Sequence, residues 1–140
     1  MTDNKDHIIL PTGKDDNVSR LAESIAHLVA DARKRTLQTV NTTLVETYWQ
    51  VGHHIVEFEQ QGNAKAKYGD NLLTSLAHLL KAKLGKGFSR PSLYNMRRFY
   101  LMYPKIQTVS GKLSWSHICE LITIDDDLER SFYEKECIKS

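Results

Sequence analysis

The chain of 140 residues contains little cysteine, proline or glycine: two, three and seven residues respectively. Cys119 and Cys137 form neither a CxxC pair nor a disulfide framework, so we interpret both as free thiols. The few prolines and glycines leave little room for long linkers. A content of 41% hydrophobic and 26% charged residues is typical of a soluble globular protein, and the length predicts one domain.

Long hydrophobic runs are also missing. No stretch reaches the roughly 20 apolar residues that a membrane span needs. The first residues, "MTDNKDHIIL", lack the apolar core of a secretory signal. We therefore expect a cytoplasmic protein that has no membrane partner.

Acidic residues are nearly absent from the middle of the chain. Residues 61–119 contain ten Lys and Arg but one acid, Asp70, which gives a local net charge of +9. The flanking residues 1–60 and 120–140 carry −3 and −4. Such a concentration is typical of a polyanion-binding surface, because each neutralised phosphate releases counterions. The alternative is a basic face that is only solvated.

A long helix is predicted in the first half of the chain. Residues 1–17 show no periodicity and are predicted to be a mobile arm. Apolar residues from residue 18 to about residue 60 recur at spacings of three and four, which predicts one rod or two segments with a phase change near residue 35. They are Val18, Leu21, Ile25, Leu28, Ala32, Leu37, Val40, Leu44, Tyr48, Val51, Ile55 and Phe58. Such a stripe must be covered by its own domain or by a second copy, so a homodimer is a secondary hypothesis.

Four shorter helices are predicted after it. The second begins at about Asp70, a candidate N-cap, and Gly85 and Gly87 end it. Its predicted buried residues are Leu72, Leu73, Leu76, Leu79, Leu80 and Leu84. The third begins at the N-cap Ser89 and ends before Pro104. "SWSHICELI" and "DLERSFYEKECIK" are the last two helices, and the acids of "TIDDD" cap the fifth. No strand pattern is convincing, although "IQTVSGKL" could form a small hairpin.

The second and third helices with their glycine turn resemble a helix-turn-helix unit, whose second helix enters the major groove. We therefore predict an all-α helical bundle with a helix-turn-helix or winged-helix-like core. On the third helix Leu93, Met96, Tyr100 and Tyr103 recur at helical spacing and should face the core. The residues predicted to bind DNA, with Arg97 at the border of the outward face, are Lys81, Lys83, Lys86, Ser89, Arg90, Ser92, Tyr94, Asn95, Arg97 and Arg98.

Three other groups could carry chemistry. His53, His54 and Glu57 lie within one helical turn and could hold a metal, but no further ligand is placed by the sequence. His117 precedes Cys119 by two residues, so on a helix it points away from the thiol and a nucleophilic dyad is disfavoured. Trp115 is interpreted as a core residue rather than a base-stacking platform. We predict no metal and no cofactor.

Several motifs together resemble the N-terminal domain of the bacterial YhcG family. They are "YWQVGHHIVEFEQ", "AKYGDNLLTSLAHLLKAKLGKGFSRPSLYNMRRFYLMYP" and "QTVSGKLSWSHICELITI", and the resemblance covers about residues 18–140. Members of that family resemble two-part proteins in which a helical DNA-binding domain precedes a PD-(D/E)xK nuclease domain. The resemblance implies that DNA and such a nuclease domain are the partners of this chain.

The nuclease chemistry itself is not expected within these residues. A nuclease of that class needs clustered acids and a lysine at D/E-x-K spacing to hold a divalent metal and activate water. The one match, Asp3-Asn4-Lys5, lies in the predicted arm. We therefore expect a DNA-binding domain without catalysis, and any nuclease domain beyond residue 140. A protein-interaction or dimerisation module is the alternative function.

Overall fold

A computed structural model describes residues 12–62 and 71–139 of the chain. The predicted all-α class is confirmed, and the helices are α1 (Thr12–Gln60), α2 (Leu72–Leu84), α3 (Arg90–Met102), α4 (Trp115–Leu121) and α5 (Asp127–Lys139). The chain divides into two compact units, residues 1–37 and 38–140. Within the described ranges, no helix is both long enough and apolar enough to cross a bilayer.

Helix α1 is a single helix from Thr12 to Gln60, so the phase change near residue 35 does not interrupt it. It begins at Thr12, six residues before the predicted helix start at Val18, and residues 1–11 lie outside the described ranges. The mobility of the arm stays a prediction. Periodicity indicates that one face of a helix is apolar, and it does not tell whether that face is covered. All side chains described from residue 16 to residue 40 are exposed.

The core of the unit 38–140 consists of two hydrophobic clusters. One contains Val45, Phe99, Leu113, Ile118, Leu121 and Ile122. The other contains Ile55, Leu73, Leu93 and Met96. The Trp115 ring packs against both, with its centroid 4.8 Å from that of Tyr48 and 5.7 Å from that of Phe99. Trp115 is therefore a core residue, as predicted.

Helices α1 and α3 approach each other closely at Gly52. A Cβ atom placed on Gly52 would lie 2.0 Å from the carbonyl oxygen of Met96 and 3.0 Å from Cβ of Tyr100. No real Cβ atom occupies such a position, so glycine is required for this contact. Beside it, the Trp49 indole N–H donates to the Tyr103 carbonyl at 2.7 Å.

The predicted helix starts at Ser89 and before residue 127 are confirmed. The Ser89 hydroxyl accepts a hydrogen bond from the Ser92 N–H at 3.3 Å. The Asp126 carboxylate accepts one from the Glu129 N–H at 2.8 Å. Asp70, the predicted cap of α2, lies outside the described residues.

Two local predictions are corrected. Leu79 and Leu84 are each 59% exposed, although their spacing predicted burial. Helix α2 is covered on one side only, so its buried stripe is narrower than its apolar stripe. The hairpin is not formed: Ile106–Thr108 is a 3-10 turn, and residues 12–62 and 71–139 contain no strand. Ile106, Val109 and Leu113 all pack on the Phe99 cluster, which favours a compact loop.

The contact at Gly52 predicts that Gly52→Ala destabilises the protein. The added methyl group must displace the α3 backbone, which we expect to lower the free energy of unfolding by about 2 to 3 kcal/mol. Chemical denaturation measures this change. Gly111→Ala is the control, because its new Cβ would meet no atom closer than 3.9 Å. Equal stability of the two variants would contradict the tight approach.

Candidate nucleic-acid interface

The end of α2, the following turn and the start of α3 carry an exposed basic group. We call Lys81, Lys83, Lys86 and Arg90 the basic group, and all four side chains are exposed. No acidic residue occurs in the sequence between residues 71 and 119. Within the described ranges, none of the four forms an ion pair. Their charges are therefore available to an external anion.

Two glycines shape the turn that carries Lys86. Gly85 and Gly87 have φ angles of 79° and 108°, in the left-handed region that L side chains rarely adopt. Gly85 also closes α2, because its N–H donates to the Lys81 carbonyl at 3.0 Å. The position of Lys86 is therefore set by the backbone of the turn.

A pocket of about 340 Å³ adjoins this turn. Its polar side chains are those of His78, Lys81, Lys86 and Ser89. The sequence analysis did not single out His78, although it lies three residues before Lys81 and hence on the same face of α2. A concave surface with two ammonium groups, an imidazole and a hydroxyl is suited to a phosphate.

The middle of α3 contributes one exposed candidate residue and two half-buried ones. Tyr94 is 45% exposed and lies one helical turn after Arg90. Ser92 is half-buried, and its hydroxyl accepts from the Ser89 hydroxyl at 3.1 Å. Asn95 is half-buried, with its amide nitrogen 3.9 Å from Sγ of Cys119. Of these three side chains, Tyr94 is best placed to contact a partner.

Arg97 and Arg98 do not extend freely from α3. Arg98 was predicted to face outward, but it is half-buried: its Nε donates to the Ile122 carbonyl at 2.5 Å and it pairs with Asp125 at 2.6 Å. Arg97, predicted at the border, pairs with Glu59 at 2.7 Å. The acids come from α1 and from the segment before α5, far from α3 in the sequence. Spacing within α3 could not reveal these pairs.

The alternative metal site receives no geometric support. His53 Nε2 lies 3.3 Å from the Glu57 carboxylate, and the His53 ring stacks on Trp49. Across residues 12–62 and 71–139, no three His, Cys, Asp or Glu side chains are grouped so that they could hold a metal ion.

His117 and Cys119 have separate environments. Nδ1 of the His117 ring accepts a hydrogen bond from the backbone N–H of Ser114 at 3.2 Å. The Ser114 hydroxyl accepts one from the backbone N–H of His117 at 3.3 Å. His117 thus completes the cap of α4. Burial raises the pKa of the Cys119 thiol, so the thiolate needed of a nucleophile is disfavoured. Cys119 and Cys137 are both free thiols.

Comparison with known proteins identifies the family. The sequence-family model named "DUF1016 N-terminal domain" matches residues 24–140. The chain belongs to the DUF1016 N-terminal domain family. This DUF1016 domain is also 32% identical to a protein of Escherichia coli (strain K12) named "Putative nuclease YhcG", over 93% of this chain. The predicted resemblance to the YhcG family is thus confirmed.

The chain spans 43% of the length of that relative. No solved structure matches the chain. The motifs that carried the resemblance occupy defined places in the fold. Gly52 of "YWQVG" contacts α3, Ser89 of "GFSRPS" caps α3, and Ser114 and Trp115 of "LSWSH" begin α4.

The bonds of Arg98 predict a role in stability. We expect Arg98→Ala to lower the free energy of unfolding by about 1.5 to 3 kcal/mol, because the Ile122 carbonyl loses a charged donor. Asp125→Ala is the control: its carboxylate is 87% exposed, and such surface pairs contribute about 1 kcal/mol or less. Urea denaturation distinguishes the two variants. Equal losses would show that the bond to Ile122 adds nothing.

Proposed function

We propose that this chain is a DNA-binding domain that positions a nuclease domain of the same protein on its substrate. The observation that carries the proposal is the exposed basic group, which lies in a stretch without acidic residues. A nucleic acid is favoured over other polyanions because a relative carries the name "Putative nuclease YhcG", and DNA is the nucleic acid that this proposal selects. A cytoplasmic site of action is part of the proposal, since the DNA of a bacterial cell lies there.

The basic group divides into two roles. Lys81, Lys83 and Lys86 contact phosphates, since ammonium groups act as point charges on the backbone and carry no sequence information. In this proposal one of these phosphates occupies the pocket that His78 and Ser89 also line. These contacts position the start of α3 against the duplex.

Arg90 and Tyr94 form the outer face of α3. An arginine at the first turn of a helix in the major groove can pair with O6 and N7 of guanine or with a phosphate. The Tyr94 hydroxyl, one turn further, can donate to a phosphate. Both side chains are exposed, so neither must break an internal contact to reach DNA.

The remaining predicted site residues have a supporting role in the proposal. Ser92 and Asn95 are half-buried, and Arg97 and Arg98 are held by acidic partners. Ser92 bonds to Ser89 at the start of α3, whereas Asn95, Arg97 and Arg98 contact residues of α1, of α4 and of the segment after α4. We therefore assign them to the placement of Arg90 and Tyr94, and not to the DNA contact itself.

Catalysis is assigned to another part of the protein. The D/E-x-K spacing of a metal-dependent nuclease occurs in this sequence at Asp3-Asn4-Lys5 alone. The relative named "Putative nuclease YhcG" is more than twice as long as the stretch it shares with this chain. The proposal is that the nuclease domain resides in such an additional part.

A protein-interaction module is the second candidate function. It is favoured by the exposed apolar residues along the first part of α1, which include Leu21 at 61% and Leu28 at 69% exposure. This surface belongs to the unit 1–37, and the basic group to the unit 38–140. One chain can therefore have both functions.

Titration of a labelled DNA duplex across a salt series tests DNA binding. We expect the affinity to fall steeply with salt, because bound Lys and Arg release counterions. Lys86→Ala and Arg90→Ala should each weaken binding and reduce the log–log salt slope by about one unit. Fluorescence anisotropy provides the measurement.

Lys135→Ala is the matched control, because it removes the same charge from an exposed position on α5. It should leave both the affinity and the slope unchanged. No binding at low salt would refute the DNA-binding proposal and favour the interaction module. Equal effects of Lys86→Ala and Lys135→Ala would refute the assignment to the basic group.

A further inference from the structure

The first part of α1 leaves an apolar stripe uncovered. Val18, Leu21, Ile25 and Leu28 are between 51% and 69% exposed. Every side chain described from residue 16 to residue 40 is exposed as well. A helix in water derives most of its stability from packing of its apolar face, so this segment needs a partner.

The spacing and the residue types of the stripe specify the partner. Val18, Leu21, Ile25 and Leu28 follow one another at three, four and three residues, the alternation of heptad positions a and d. Both a positions are β-branched and both d positions are leucine. This combination favours a parallel pair of helices over trimers and tetramers. The next a position is Ala32, and the next d position is Arg35, which ends the seam.

We propose that α1 pairs with α1 of a second copy of this chain, parallel and in register, along residues 18–32. At 1.5 Å per residue, the seam is about 21 Å long. The proposal does not depend on DNA binding.

The charges beside the seam allow this pairing. The g positions are Asn17, Ser24 and Asp31, and the e positions are Ala22, Val29 and Thr36. A parallel pair places g of one helix beside the following e of the other, and no such pair contains two like charges. Val29, 42% exposed, widens the apolar surface. The charged residues Arg20, Glu23, Arg33 and Lys34 occupy positions b, c and f, away from the partner.

Sedimentation equilibrium of the 140-residue chain over a range of concentrations tests the pairing. We expect the mass to rise with concentration from that of one chain toward that of two. Ile25→Lys places two charges in the seam of a dimer and should raise the dissociation constant by at least about tenfold. Ala30→Lys, at position f of the same helix, is the matched control and should leave association unchanged.

Circular dichroism checks that Ile25→Lys retains the folded unit 38–140, which is expected because Ile25 lies outside that unit. A single-chain mass at all concentrations would overturn the proposal. If neither Ile25→Lys nor Ala30→Lys changed the dissociation constant of a dimer, the interface would lie elsewhere, and the proposal would be overturned as well.

Cross-linking tests the orientation. In a Cys119→Ser, Cys137→Ser background that still associates, Val18→Cys should form a disulfide between copies, because equal a positions face each other in a parallel pair. Antiparallel helices would instead place Val18 beside Leu28. The Val18→Cys and Leu28→Cys chains are then mixed. A disulfide that forms only between a Val18→Cys chain and a Leu28→Cys chain would overturn the parallel arrangement.

Discussion

The structure of residues 38–62 and 71–139 depends on the contact of two helix backbones at Gly52. Because Gly52 has no side chain, α1 lies directly against the Met96 carbonyl of α3. The buried residue Val45, before Gly52 on α1, belongs to one hydrophobic cluster, and Ile55, after it, belongs to the other. A single crossing thus gives α3 two sets of partners. The orientation of α3, and with it the exposure of Arg90 and Tyr94, follows from this crossing.

The strong charge segregation along the sequence is partly reduced in the fold. Glu59 comes from the acidic first part of the chain and Asp125 from the acidic last part, and they pair with Arg97 and Arg98 of the basic middle. No such partner within the described ranges pairs with the basic group, Lys81, Lys83, Lys86 and Arg90. Within α2, α3 and the turn between them, the unpaired positive side chains therefore lie near this turn and do not extend over the whole of α3.

Local features of this fold could be predicted from the sequence, and contacts between distant segments could not. The Ser89 cap, the glycine turn and the buried Leu93 and Met96 follow from residue types and spacing within a few positions. The partners of Arg97 and Arg98 are acids that no local pattern connects with them. The exposure of Leu79 likewise depends on which elements cover α2, and periodicity records only that one face is apolar. Of the site, the basic group was predictable, whereas the half-burial of Asn95 and Arg98 was not.

The turn at Gly85 and Gly87 has a consequence for how this surface can vary among related proteins. Lys86 lies between two residues whose backbone angles only glycine adopts without strain. The backbone of the turn therefore determines where residue 86 lies. Its side chain determines how far the charge extends and which hydrogen bonds it can form. A relative that keeps both glycines could exchange Lys86 for another residue and so alter ligand preference, while α2 and α3 keep their places. A relative that lost either glycine would have to rebuild the connection between these helices before it could use the same surface.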